Sequence, residues 1–132
     1  MKPYPVVNII LGYYGDSWAD KIARTDAIEA QAIGPFWVHQ GMTHFSHKFA
    51  VSHAATGAVV AHVYTEAAAV ELAEALFAYR AYFDTVTLSP DGRVRLPDAG
   101  YDTVAHCVRT FVEADEYAYD LENCRKTDNE EK

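Results

Sequence analysis

Cysteine is scarce in this chain of 132 residues, with only Cys107 and Cys124 present. Both fall in one expected helix, where seventeen residues at a rise of about 1.5 Å separate them by roughly 25 Å. A disulfide needs Cα atoms within about 7 Å, so an intrachain bridge is excluded while that helix stands. Positive charge is also short: eleven Lys and Arg face nineteen Asp and Glu, a net charge of −8. Such a surface is repelled by phosphate backbones and anionic membranes, which argues against direct nucleic-acid binding. Long apolar runs are missing. The best, VVNIIL, is far below membrane-spanning length, and the Met1–Val7 stretch with Pro3 and Pro5 makes no secretory leader. A reducing cytoplasm is the compartment these features imply. Low-complexity segments and interdomain linkers are absent as well, and the length suits one domain, expected over residues 1–126, with 127–132 (TDNEEK) as a solvated tail.

Half of the residues are hydrophobic and 13% are aromatic, enough to bury a core. Val6–Leu11 reads as a buried strand between Pro5 and Gly12. Asp16 offers an N-cap for a helical stretch, SWADKIARTDAIEAQAI, closed by Gly34 and Pro35, with Thr25 and Asp26 able to split it in two. Phe36–His39 reads as a short strand. KFAVSHAATGAVVAHVYT reads as a hairpin turning near Thr56 and Gly57. Thr65 caps the next helix, whose Ala69, Leu72, Leu76, Tyr79 and Phe83 form one apolar stripe, widened by Val70 and Phe77. A second hairpin alternates Val86, Leu88, Val94 and Leu96 around Pro90, Asp91 and Gly92. A last helix starts at Asp102 or Thr103 and runs to about Arg125, with Val104, Val108, Phe111, Ala118 and Leu121 inward. The expected class is α+β: an antiparallel or mixed sheet built from two hairpins plus an N-terminal strand, with about three helices packed on it.

Catalytic motifs fail one by one. Gly15-Asp16-Ser17-Trp18 after a strand resembles the opening block of GDSL-type serine hydrolases. The Asp-x-x-His that such enzymes need is not matched, since Asp102 and His106 stand one residue too far apart. As a pair at i, i+4 they read as the acidic first turn of a helix. Gly12 and Gly15 lack both the Gly-Lys-Ser/Thr ending and the Gly-x-Gly-x-x-Gly spacing of phosphate loops. Five of the six histidines fall between His39 and His62. His44, His47, His53 and His62 are the candidate ligands for an alternative reading as a histidine-based metal protein or small metal-dependent enzyme. His53 and His62, on opposite hairpin arms, share a face if the turn has two residues, and a longer turn changes their registry. The main reading assigns no catalytic residue, no metal and no cofactor.

The last helix carries the more informative surface. Between Glu113 and Lys132 lie eight acids against Arg125, Lys126 and Lys132, so this stretch supplies −5 of the net −8. Glu113, Glu116 and Asp120 follow 3-4 spacing, and Tyr117, Tyr119 and Glu122 stand among them. Acid interleaved with tyrosine suits docking on a basic protein patch, because tyrosine gives contact area at low entropic cost.

The segment FAVSHAATGAVVAHVYTEAAAVELAEAL, with its aromatic-x-Val-x-His-x-x-Thr-Gly hairpin and alanine-rich helix, resembles small accessory proteins of phages and plasmids. That pool includes anti-CRISPR and other anti-defence inhibitors. The resemblance implies a non-enzymatic inhibitor that binds a basic, nucleic-acid-handling bacterial protein complex such as a CRISPR effector, with no functional residue carried over. A homo-oligomeric structural module is a further alternative.

Overall fold

The computed structural model describes residues 4–14, 22–41, 49–90 and 93–130; of residues 10–14, 22–26 and 123–130 it describes the backbone path alone. Five strands, β1 (Val6–Tyr14), β2 (Ile22–Ile33), β3 (Phe36–Gln40), β4 (Phe49–His53) and β5 (Val59–Val63), form a sheet in sequence order. Every neighbouring pair is antiparallel, so the sheet is a meander with no parallel member. Two long helices follow, α1 (Glu66–Leu76) and α3 (Tyr101–Glu130). Between them, a 3-10 turn over Phe77–Tyr79 leads into the five-residue α2 (Arg80–Asp84) and a small hairpin of β6 (Thr87–Leu88) and β7 (Val94–Arg95).

The α+β class and the antiparallel sheet agree with the sequence reading; the first expected helix does not. Residues 22–33 are strand β2, not helix, which leaves two long helices among the described residues rather than about three. Alanine, glutamate and glutamine in IARTDAIEAQAI favour helix intrinsically, but the segment pairs along its length with β1, from Val6↔Gln31 to Tyr14↔Ile22. Cross-strand pairing and burial override a propensity that is worth only tenths of a kcal/mol per residue. Its last residues then turn tightly into β3, with Ile33 opposite Phe36. Gly34, at φ +56°, takes the first central position of that two-residue turn and Pro35 supplies the negative φ of the second, the residue pattern of a II′ hairpin. The Asp16 cap and the Gly15–Trp18 string lie outside the described residues.

Register divides the sheet into two unlike faces. On one, the row Val6, Gln31, Val38, Val51, Ala61 crosses all five strands. Val38, Val51 and Ala61 meet Ala69, Leu72, Ala73 and Leu76 of α1 and Val104 of α3 in the main core, with Phe36 and Phe83 edge-to-face at 4.7 Å between centroids. Gln31 is the polar member, and its Nε2–H donates to Glu66 Oε1 at 3.0 Å in the first turn of α1. On the other face the row is Val7, Ala30, His39, Ala50, His62. Here Ala30, His39 and Ala50 are buried together with Ile9 and Ser52.

Thr65 caps α1 as its position suggests, its Oγ1 accepting from Ala68 N–H at 3.1 Å. Of the expected stripe, Ala69, Leu72, Leu76 and Phe83 are buried and Tyr79 is half-buried, although the 3-10 turn divides the helix where Phe77 emerges to solvent. The second hairpin forms with only two residues per strand, and it stands as a separate two-stranded sheet instead of joining the N-terminal strand and the first hairpin in one sheet as expected, because strands so short offer too few ladder bonds to extend the five-stranded sheet. Val86 is buried, while Leu88, Val94 and Leu96 are exposed. The last helix runs on to Glu130, past the expected end near Arg125 and through most of the segment read as a tail.

Candidate functional site

Helix α3 is about 45 Å long at 1.5 Å per residue, far longer than the five-residue strands β3–β5 it accompanies. Val104, Cys107, Val108, Phe111 and Val112 pack into the core. Beyond them the inward side turns polar: Asp115 Oδ2 accepts the Tyr64 N–H at 2.9 Å. One turn further, Tyr119 stacks on Tyr64 with centroids 3.8 Å apart and rings 5° from parallel. Ala118 and Leu121, expected inward, are instead exposed. The inward line follows 104, 108, 111, 115 and 119, so Leu121, six residues past Asp115, lies well round the helix from it.

At 100° per residue, Glu113, Tyr117, Asp120 and Leu121 share the side of α3 opposite Val108 and Asp115. Tyr117 is 67% exposed and Leu121 47% exposed, with the exposed carboxylates of Glu113 and Asp120 beside them. The six residues proposed from sequence therefore divide. Glu113, Tyr117 and Asp120 form the outer face, Glu116 is half-buried at its edge, and Tyr119 is committed to Tyr64. Glu122, although exposed, stands seven residues after Asp115 and so on the Asp115 side. Sequence reasoning missed Leu121 as an outer residue because an apolar residue near a helix end reads as core.

The two described candidate metal ligands, His53 and His62, do not come together. His44 and His47 lie outside the described residues. His53 is opposite Phe36 on the helix-covered face, whereas His62 is opposite Ala50 on the other. The connection between their strands spans residues 54–58, and the register shift at Val51/Ser52 in β4 puts the two on opposite faces. Among the described residues no group of three or more His, Cys, Asp and Glu is placed to hold a metal ion.

Two histidines are buried with defined partners that the sequence did not announce. His39 Nδ1 lies 2.7 Å from the Gln40 carbonyl, which only accepts, so Nδ1 carries the proton. Neutral Nε2 then accepts from Ser52 O–H at 2.8 Å. A serine hydroxyl donating to a neutral imidazole is the first half of a nucleophile-activating pair, but Ser52 is wholly buried and offers no substrate access. Burial lowers the His39 pKa from its usual value, against the raising effect of the Gln40 hydrogen bond. His53 Nδ1 is 2.9 Å from Thr56 Oγ1, which also accepts from Ala58 N–H at 3.2 Å and so ties the hairpin turn. Burial lowers its pKa too, opposed by nearby Asp84 and by a backbone hydrogen bond with Phe83.

His53 also forms part of the wall of a groove of about 610 Å³ between the β4–β5 hairpin, the β6–β7 hairpin and the first half of α3. Its lining is dominated by valine, leucine and aromatic side chains, with Arg109 from α3 as its charged member. Asp102 and His106 border a different, shallower groove with Tyr79 and Phe111, and Ser17, the serine of the hydrolase-like string, lies outside the described residues. No helix among the described residues is long and apolar enough to cross a membrane. No protein-family model, curated protein or solved structure matches the chain, so the accessory-protein resemblance of Phe49–Leu76 gains nothing from these comparisons.

Proposed function

We propose that the protein is a non-enzymatic binding module that docks on a basic partner through the outer face of α3. The observation that carries this reading is the pair Tyr117 and Leu121, exposed at 67% and 47% on the side of the helix turned away from the core. An aromatic and an aliphatic anchor at i, i+4, flanked by carboxylates, is the arrangement of an interface with an apolar centre and a charged rim. Glu113 and Asp120 supply the rim, and the net charge of −8 favours encounter with a basic surface while opposing self-association through this face. The partner class is a basic, nucleic-acid-handling bacterial protein, of which a CRISPR effector is the example suggested by the resemblance at Phe49–Leu76.

The test is affinity capture from bacterial lysate with the wild-type chain and with E113K/D120K. The reading expects one stoichiometric partner that is lost from the variant and released from wild type by added salt, with the variant's melting temperature within a few degrees of wild type. A partner held equally by both chains removes α3 from the account.

A further inference from the structure

We infer that the groove between the two hairpins and α3 is a binding site for a small amphipathic carboxylate, with its apolar body in the groove and its head group on Arg109. The volume, about 610 Å³, falls within the ~300–1,000 Å³ typical of small-molecule sites. Four separate elements build it. Strand β5 contributes Val59 and Val60, α2 Tyr82, the β6–β7 hairpin Val94, and α3 Val104 and Val108. Packing of these elements leaves a concavity that none of them fills, and its rim stays apolar, with Val59 49% and Leu96 51% exposed.

The lining selects the ligand's chemistry. Valine and leucine walls favour an aliphatic or aromatic body over a sugar or nucleotide, whose polar groups would be desolvated without partners. Two of the other polar groups of the walls are already engaged, while the Tyr101 hydroxyl stands at the exposed rim. His53 Nδ1 is bonded to Thr56 Oγ1, and the Tyr82 hydroxyl donates to the Pro97 carbonyl at 3.0 Å. The Arg109 guanidinium, on the exposed side of the groove, supplies a fork of donors that matches a carboxylate. In a chain of net charge −8, a cation at the mouth of an apolar groove makes that mouth the local exception. The groove takes residues 101–112 of α3 and the outer face residues 113–121; the two adjoin where Arg109 stands one turn before Glu113 on the same side of the helix, and R109A tests the groove while leaving Glu113, Tyr117, Asp120 and Leu121 in place.

Decanoate, decanol and decylamine share one tail and differ in head group, and their binding to the full chain by isothermal titration calorimetry tests the inference. Decanoate is expected to bind one to one, with R109A weakening it about ten-fold or more while leaving decanol unchanged. A105F, which fills the groove from α3, is expected to abolish binding of both; R109E, which keeps the groove open, provides the comparison should A105F melt early. Decanoate and decanol binding equally and indifferently to R109A overturns the carboxylate class. The inference is also overturned if no probe binds, or if the solution mass is that of a dimer and A105F restores the monomer, since a second copy then fills the groove.

Discussion

Tyr119 of α3 stacks flat on Tyr64 at the end of β5, their centroids 3.8 Å apart, directly above the hydrogen bond from Tyr64 N–H to Asp115. The pair joins the sheet to the helix beyond the apolar core and sets which side of α3 faces outward. Replacing Tyr119 with alanine is expected to destabilise the fold by about 1–2 kcal/mol, combining lost ring contact with lost burial. Thermal unfolding of Y119A reads the effect. If Tyr119 instead served a partner, the variant would melt with the wild type.

The main core predicts a larger loss. Leu76 is fully buried where α1 meets the sheet, and L76A leaves a cavity the neighbouring Phe36 and Leu72 cannot close. A cost of about 2–5 kcal/mol in urea unfolding is expected. Less than 1 kcal/mol would mean that α1 does not pack as described.

The β2–β3 turn is constrained twice. Gly34 has φ +56°, and a Cβ built there would stand 2.6 Å from the Phe77 ring. G34A is expected to lower stability by about 1–3 kcal/mol through the left-handed backbone alone, with the ring contact adding to it. Combining G34A with F77A separates the two, because only the contact is relieved. Equal losses in the single and double variants, after correction for F77A itself, would assign the whole effect to the backbone.

Acid should weaken the fold. His39 and His53 have pKa values lowered from 6.5 by burial, and unfolding returns them to that value. In the interval between the folded and unfolded values the unfolded chain holds more protons, so stability rises with pH there. Full stability is therefore present above pH 6.5 and is lost as pH falls through that value toward the lower folded-state pKa values. The urea midpoint is expected to be level from about pH 8 to 7 and to drop below about pH 6.5. A midpoint unchanged down to about pH 5 would contradict burial of neutral imidazoles.

The parts of this fold legible in the sequence are those where local chemistry and tertiary packing agree. Thr65 caps α1 where an N-cap was expected, Gly57 turns the β4–β5 hairpin at φ +76°, and Leu72 and Leu76 fall on the buried stripe. Strand β2 was illegible because Ala30 and Ala32 carry its period-two pattern, and alanine signals helix as readily as a strand with little room above it. Gln31, only 1% exposed, further masks the alternation. The end of α3 misled for the opposite reason. Leu121 is apolar and Asp115 charged, yet the bond to Tyr64 N–H turns Asp115 inward and leaves Leu121 outside. Of the proposed site, the acid-and-tyrosine segment was legible as a segment. Its outer face was not, because only the Tyr64 contacts fix the rotation of the helix.

The central claim is most directly tested by photo-crosslinking from a benzoylphenylalanine placed at Tyr117, compared with the same probe at Thr87 on the small hairpin, in the presence of the captured partner. The account predicts a strong cross-link from position 117 that disappears in the E113K/D120K background, and only background signal from position 87. A cross-link from position 87 with none from position 117 would contradict it.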